Sequence, residues 1–405
     1  MDPSHRWLFK EGPRRRQQVI EALVEGREWG TILVGFAGVS DVSNGLDLRG
    51  IDLSGLDLRK ARLERAHLEH ANLSNCRLDG LSLKYANLRE SVIRGAEMRE
   101  SDLTGADLQG CSLTGACLEG VSARGTRFSG SNLAGAKLAR ANISGADFRN
   151  TKLDGADMSA ANGNFASFAC ASAREICARG GTFKKSNWFK ATLIESQFEG
   201  AAMTEADLSF SVCKRANFKN IDISRAVVKE ADLCEAHFDG SNAVGTTFAM
   251  SVLSGADFSN AQLHDTNFNN TYAHAPANFS GIHAEHAFFM NTRLNRCDFS
   301  ESDLTRALFC EADISDGIFR NATLVETNFQ KTNLRRCALY DSQIVRVTFT
   351  GASLCEAHFG GARVTQTPLT PSVLHGADID GARLDRNVEE SVQASVVTGT
   401  PIFED

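Results

Sequence analysis

Two histidine pairs are the residues of this 405-residue chain whose spacing could support metal chemistry. His67 and His70, like His283 and His286, are three residues apart, which on a helix would place both imidazoles on one face. Whether they can act together depends on the element that carries them. The residues around both pairs lack a helical period, so we expect these histidines to be solvent-facing turn residues.

Other residues with reactive side chains form no recognisable catalytic or cofactor motif. The nucleophile-elbow, phosphate-loop and zinc-protease patterns are absent from the sequence. Eleven cysteines are scattered from Cys76 to Cys355 without a C-x-x-C pair, which indicates reduced thiols at small-residue positions. The sequence therefore predicts a protein that is not an enzyme and that holds no metal and no cofactor.

The dominant pattern in the sequence is a period of five residues. From Leu48 every fifth residue is apolar up to Ala273, and the pattern resumes one residue out of phase from Phe279 to Leu384. Most of these central positions are Leu or Phe, and Gly163 alone is neither apolar nor cysteine. A period of five fits neither a helix nor a flat strand. It requires a backbone that turns once in each unit.

The flanking positions are also restricted. The residue two before each centre is usually Ala, Ser, Thr or Cys, and the residue just before it is often Asp or Asn. Four units would make a square coil of 20 residues, with large centres stacked inside and small residues at the corners. Coils stacked at the usual strand spacing would pair through backbone hydrogen bonds.

These units resemble the pentapeptide-repeat family, whose pattern is A-(D/N)-(L/F)-x-x. Matching units include Ala106–Gly110, Ala146–Asn150, Ala256–Asn260 and Ala312–Asp316. The resemblance covers residues 46–384 and implies an all-β fold, a right-handed quadrilateral parallel β-helix. Its repeats would make about 17 coils and a length of about 80 Å.

The sequence predicts five segments. Residues 1–45 form an N-terminal cap, 46–273 the first repeat block, 274–278 an insertion or kink, 279–384 the second block, and 385–405 a C-terminal cap with a mobile acidic tail. In the cap, residues 13–26 predict a short amphipathic helix with Val19, Ile20, Leu23 and Val24 on one face. Residues 32–34 predict an added strand. The weak centres Gly163, Ala173 and Ala178 predict a bend, a bulge or a thinner interior.

One surface region is a candidate partner-binding site. Two aromatic residues just after their centres should point outward near basic side chains, as in a protein contact. The predicted surface comprises Phe189, Phe210, Lys184, Lys185, Lys190, Lys214 and Arg215.

Three functions fit the sequence. The first is a non-enzymatic scaffold whose rigid faces bind a protein partner. The family resemblance implies a second, a DNA mimic that protects bacterial DNA gyrase and topoisomerase IV from inhibitors, and allows a third, a secreted bacterial effector. The formal charge is −7, of which −4 falls in residues 385–405, whereas DNA carries one charge per about 1.7 Å. This weak charge favours the scaffold.

The sequence also predicts the protein's surroundings. The N-terminal residues lack a basic stretch followed by an apolar run, and no apolar stretch is long enough to cross a bilayer. We therefore expect a cytoplasmic protein without membrane contact or direct nucleic-acid binding. It would be a monomer or an end-to-end homodimer.

Overall fold

The computed structural model describes residues 3–36 and 46–404, so residues 1–2 and 37–45 of the predicted cap, and residue 405, lie outside the described residues. The chain divides into two compact units, Met1–Ala202 and Met203–Asp405. The predicted 274–278 insertion lies inside the second unit. Each unit is a right-handed quadrilateral β-helix built from five-residue segments, as the sequence predicts.

The five-residue segment has a simple backbone geometry. The Leu103 N–H donates to the Ser122 carbonyl at 2.7 Å, one coil further along, and the Ala106 N–H donates back to the Leu103 carbonyl at 2.9 Å. The second bond closes a β-turn whose third residue, Gly105, has φ of 67°. Asp102 accepts the Thr104 N–H at 2.9 Å, which explains the Asp or Asn before each centre.

Successive coils pair in parallel at a fixed step. In the first unit the partners are 20 residues apart, as in Asp102 with Ser122. In the second unit the step is 20 up to Val252 with Tyr272, and then 21 for pairs such as Gln262 with His283. The extra residue is accommodated at residues 274–276, which are exposed, and the step returns to 20 from Asn278 with Asp298.

Short regular strands occur where pairing extends over three residues. They are β1 (Thr323–Val325), β2 (Gln343–Val345), β3 (Arg363–Thr365), β4 (Arg383–Asp385) and β5 (Ile402–Glu404), and they form one parallel sheet in that order. The helices are α1 (Gly12–Glu25), α2 (Pro371–Leu374) and α3 (Glu389–Gln393). Further 3₁₀ turns span Pro3–Trp7, Gly30–Leu33 and Arg386–Val388.

The repeat centres form the core of each unit. In the second unit Phe238, Phe258, Phe279, Phe299 and Phe319 are buried and stacked nearly parallel, with ring centroids 4.9–5.2 Å apart. A second Phe column meets the first edge-on. At the corners small polar residues bond to the preceding coil, as where the Thr126 hydroxyl donates to the Leu103 carbonyl at 2.7 Å. Ser and Thr are therefore tolerated there without unpaired polar atoms.

The weak centres do not thin the interior or interrupt the coils. Pairing continues through residues 160–190, and a Cβ on Gly163 would lie 2.5 Å from the Phe183 ring. The Trp188 ring stacks on Phe168 at 3.9 Å and meets Phe198 edge-on at 5.4 Å. The predicted bend or thin interior is therefore wrong, because large rings on neighbouring coils fill the space above the small centres.

The N-terminal segment caps the first coil with side-chain donors. The first coil has no preceding coil to donate to its carbonyls. Trp7 Nε1 donates to the Arg49 carbonyl at 2.8 Å, Trp29 Nε1 to the Arg62 carbonyl at 3.0 Å, and Arg16 to the Asp52 carbonyl at 2.7 Å. These bonds satisfy a strand edge that would otherwise pair with another chain.

Details of the two caps differ from the predictions. In α1 Val19, Ala22 and Leu23 are buried, but Val24 is 38% exposed and Ile20 is half-buried, because the buried stripe is narrower than the predicted face. Residues 32–34 form no strand, since Arg15 donates to the carbonyls of Ile32 and Val34 at 2.6 and 3.2 Å. At the other end, β5 pairs with β4, so the predicted mobile tail is ordered up to Glu404.

A buried carboxylate joins the cap to the first coil. Asp47 is fully buried and pairs with Arg6 at 2.7 Å and Arg49 at 2.6 Å. Burial alone would raise the pKa of Asp47, but the bonds from Arg49 and Arg6 outweigh it and hold the pKa well below its usual range. The charged form is therefore the one that stabilises the fold.

The Asp47→Asn variant should lose stability in a pH-dependent way. A lowered pKa stabilises the fold above the unfolded value of about 3.9, and this contribution declines as pH falls toward the folded pKa. We expect the difference in unfolding free energy between wild type and Asp47→Asn to be largest near pH 7 and to narrow below about pH 4. Urea denaturation at both pH values measures it. A difference that is constant or grows on acidification would contradict the assignment.

Candidate binding surface

Four residues of the predicted surface lie in the first unit. Phe189 is half-buried, and the Lys190 ammonium lies 5.2 Å from the centroid of its ring. Lys184 and Lys185 are exposed. This contact fits a cation–π interaction, which uses the face of the aromatic ring. The first unit therefore presents a basic surface around a partly covered aromatic residue.

The other three predicted residues belong to the second unit. Phe210 is 41% exposed and has φ of 60°, Lys214 pairs with Asp232 at 3.1 Å, and Arg215 is exposed. Because the seven residues divide between two units, each group is described within its own unit. The predicted surface as a whole stays a prediction.

The sequence analysis missed the most exposed aromatic residues of the repeats. Tyr85 is 59% exposed and Phe165 is 66% exposed, and their φ values are 55° and 62°. Both occupy the third position of the β-turn, two residues after a centre. Large side chains rarely adopt positive φ, and exposure gives them no packing energy. Comparing residues 20 apart along this position would have shown both residues on one corner of the coil.

The histidines lie on the surface. His70 is 47% exposed and 3.5 Å from Glu90, and His67 is 3.3 Å from Glu69. His283 and His286 are exposed. No helix brings either pair together, because each residue lies in the five-residue turn geometry. Their contacts are ion-pairing contacts along the stack.

The cysteines are free thiols at several depths. Burial raises the pKa of Cys76 to about 11 and that of Cys213 to about 12, so both remain protonated at neutral pH. Cys76 also donates to the Leu53 carbonyl at 3.0 Å, in the same way as a corner Ser or Thr. Cys170, by contrast, is exposed at a turn position.

One group of three side chains has the types and distances of metal ligands. Ligand atoms of His237, Asp239 and Asp257 lie within 4.8 Å of one another. Protein groups already engage two of them, since Asp257 accepts from Ser259 and Asn278 at 3.0 Å and the Lys219 ammonium lies 3.5 Å from Asp239. A lysine ammonium at that distance supplies the positive charge that a cation would bring. We assign no metal to this group.

Many surface charges are paired between coils. In the second unit Glu326 pairs with Arg306 and Arg346, both at 2.7 Å, and Arg336 lies 2.6 Å from Asp316 and 3.9 Å from Glu356. These residues alternate in sign along their columns of turn positions. Alternating columns neutralise the carboxylates locally, whereas a surface resembling DNA requires long rows of unpaired negative charge.

Among the described residues, no helix combines the length and apolar character required to cross a bilayer. A polar cleft beside α1 is lined by acidic and basic residues together, including Glu11, Arg14, Glu21 and Arg27. This mixture selects no ligand charge. The exposed aromatic residues at turn positions are therefore the best candidates for a functional surface.

Comparisons with known proteins agree with the fold. Solved structures similar to this chain include HetL from Nostoc sp. strain PCC 7120, a pentapeptide-repeat protein involved in the regulation of heterocyst differentiation. It has 23% identity and a TM-score of 0.17, and the match covers 64% of this chain and 88% of HetL. QnrB1, a plasmid-mediated fluoroquinolone resistance protein, has 15% identity and a TM-score of 0.27, with 55% and 97% covered.

A comparison with curated protein sequences gives no match. The family model described as "Pentapeptide repeats (8 copies)" matches stretches that together span more than half of the chain. The matched residues are 47–84, 82–120, 111–150, 141–176, 211–248, 231–270, 277–309, 302–339 and 348–386. The chain belongs to the pentapeptide-repeat family.

Proposed function

We propose that this protein is a non-enzymatic scaffold that binds a protein partner on the outer surface of its β-helix. The observation that carries the proposal is the placement of large aromatic residues where neither packing nor backbone preference accounts for them. Phe165 and Tyr85 are both exposed, and both have positive φ. Exposed aromatic residues are costly in solution and are enriched where proteins bind each other.

Affinity capture with the full chain tests the scaffold function. Wild type, Tyr85→Asp/Phe165→Asp and Phe189→Asp/Phe210→Asp would be immobilised and exposed to lysate of the source cells. We expect a protein that binds wild type at constant stoichiometry and is lost with at least one double variant. Gly135→Glu is the control, because a side chain at Gly135 meets no atom within 4 Å and lies on another corner.

Two outcomes would overturn the scaffold function. One is that no protein binds wild type above the bare matrix. The other is that both double variants retain every protein that wild type binds. Circular dichroism of each variant confirms that the β-helix is intact, so that loss of binding reports on the surface.

The alternative function is protection of DNA gyrase or topoisomerase IV in a bacterial cytoplasm. Membership of the family supports it, and the charge pairing between coils weighs against it. A supercoiling assay with purified gyrase and a gyrase poison distinguishes the two functions. We expect neither inhibition nor protection at micromolar protein; protection would establish the alternative in place of a general scaffold.

A further inference from the structure

One corner of the first unit carries an unusual sequence of turn residues. Taken every 20 residues, they are Arg65, Tyr85, Gly105, Gly125, Gly145 and Phe165. We call these six residues the glycine corner. At about 4.8 Å per coil, Tyr85 and Phe165 are about 19 Å apart. Two exposed aromatic residues thus flank a run of three glycines.

The glycines leave an open depression between the aromatic residues. A Cβ on Gly105 would lie 2.7 Å from the Tyr85 ring, so this ring leans over Gly105. A Cβ on Gly125 or Gly145 would meet no atom within 4 Å. The backbone of Gly125 and Gly145 is therefore accessible, and a ligand can approach it closely.

The charge beside the depression is positive. Arg124, next to Gly125, is exposed, and no hydrogen bond or ion pair joins its guanidinium to another residue of the described ranges. Arg65 lies over the Tyr85 ring at 5.7 Å. The nearby carboxylate of Asp107 is already paired, 3.2 Å from Arg127. The unpaired charge at the centre of the depression is thus a cation.

We propose that the glycine corner binds an extended, acidic segment of a partner protein that carries large apolar side chains. The apolar side chains would contact Tyr85 and Phe165, and a carboxylate would pair with Arg124. This assignment rests on the proposed scaffold function and specifies its partner. A single nucleic-acid strand would also use aromatic and basic residues, but the carboxylates beside this corner, including Asp102, Asp107 and Asp147, disfavour a polyanion.

Selection of peptides on the immobilised full chain tests the proposal. The probe is a phage-displayed library of random 16-residue peptides, and a dT oligonucleotide of similar length is assayed separately. We expect the enriched peptides to be net negative and to contain large apolar residues. Binding of a synthesised enriched peptide should fall at least about tenfold with Gly125→Glu and with Arg124→Glu, because each change places a carboxylate against the acidic segment.

Matched variants separate a local effect from a general one. Gly135→Glu introduces the same side chain at φ of 64° with nothing within 4 Å, and Arg174→Glu reverses an exposed charge on another face. Both should change binding less than about twofold. Equal losses in test and control variants would overturn the proposal. So would enriched peptides that are neutral or basic, the absence of enrichment, or oligonucleotide binding abolished by Gly125→Glu.

The proposal can fail without the scaffold function. If affinity capture finds a partner whose binding is unchanged by Gly125→Glu and Arg124→Glu, the scaffold function stands and the glycine corner is not its site. If no partner is captured at all, the scaffold function itself fails.

Discussion

Replacing Phe299 by Ala is expected to lower the free energy of unfolding by about 3–5 kcal/mol. The Phe299 ring is fully buried and stacks between Phe279 at 5.0 Å and Phe319 at 5.2 Å. It also meets Phe289 and Phe309 edge-on, each at 5.7 Å. Removing the ring leaves a cavity that rigid coils above and below cannot close, because their backbones are hydrogen-bonded to each other.

Urea denaturation followed by circular dichroism measures this loss. The matched control is Phe210→Ala in the same unit, which removes a ring that is 41% exposed and should change stability by about 0.5 kcal/mol or less. A loss below about 1 kcal/mol for Phe299→Ala would mean that the repeat centres do not form a close-packed column.

The second large effect is expected at the N-terminal cap. Trp29 is buried, and its indole N–H donates to the Arg62 carbonyl of the first coil. Trp29→Ala should weaken docking of the cap by about 3–5 kcal/mol, because it removes a large buried side chain and an edge hydrogen bond. The first coil would then present unpaired carbonyls to other chains.

Hydrogen exchange and light scattering report on the two consequences. Amides of residues 46–65 should lose protection in Trp29→Ala, and the protein should associate at high concentration. Leu8→Ala, which trims a side chain that is 63% exposed in the same segment, should do neither. Full protection of the first coil in Trp29→Ala would show that the cap does not seal it.

The repeats could be predicted from sequence because each unit carries its own instructions. A large residue such as Leu103, an Asp before it and a Gly two positions after it specify the inward side chain and the turn. Local patterns of this kind need no knowledge of distant residues. The same logic explains why the burial of nearly every centre follows from the five-residue period.

Features that depend on residues of different coils could not be predicted from single units. Gly163 reads as a weak centre, yet the Phe183 ring occupies its space. Residues 32–34 read as a strand, yet Arg15 takes up their carbonyls from α1. The glycine corner was missed for a related reason, since its residues are adjacent only when the sequence is read in steps of 20.

Cysteine cross-linking tests the coil geometry most directly. The variants Asn142→Cys/Asn162→Cys and Gln262→Cys/His283→Cys place thiols on partners 20 and 21 residues apart, either side of the insertion. Neighbouring strand positions are within disulfide reach. We predict that mild oxidation links both pairs, as detected by mass spectrometry of proteolytic fragments, and leaves Asn142→Cys/Asp157→Cys unlinked. Equal cross-linking of the 15-residue pair, or none of the 20- and 21-residue pairs, would contradict a four-sided coil.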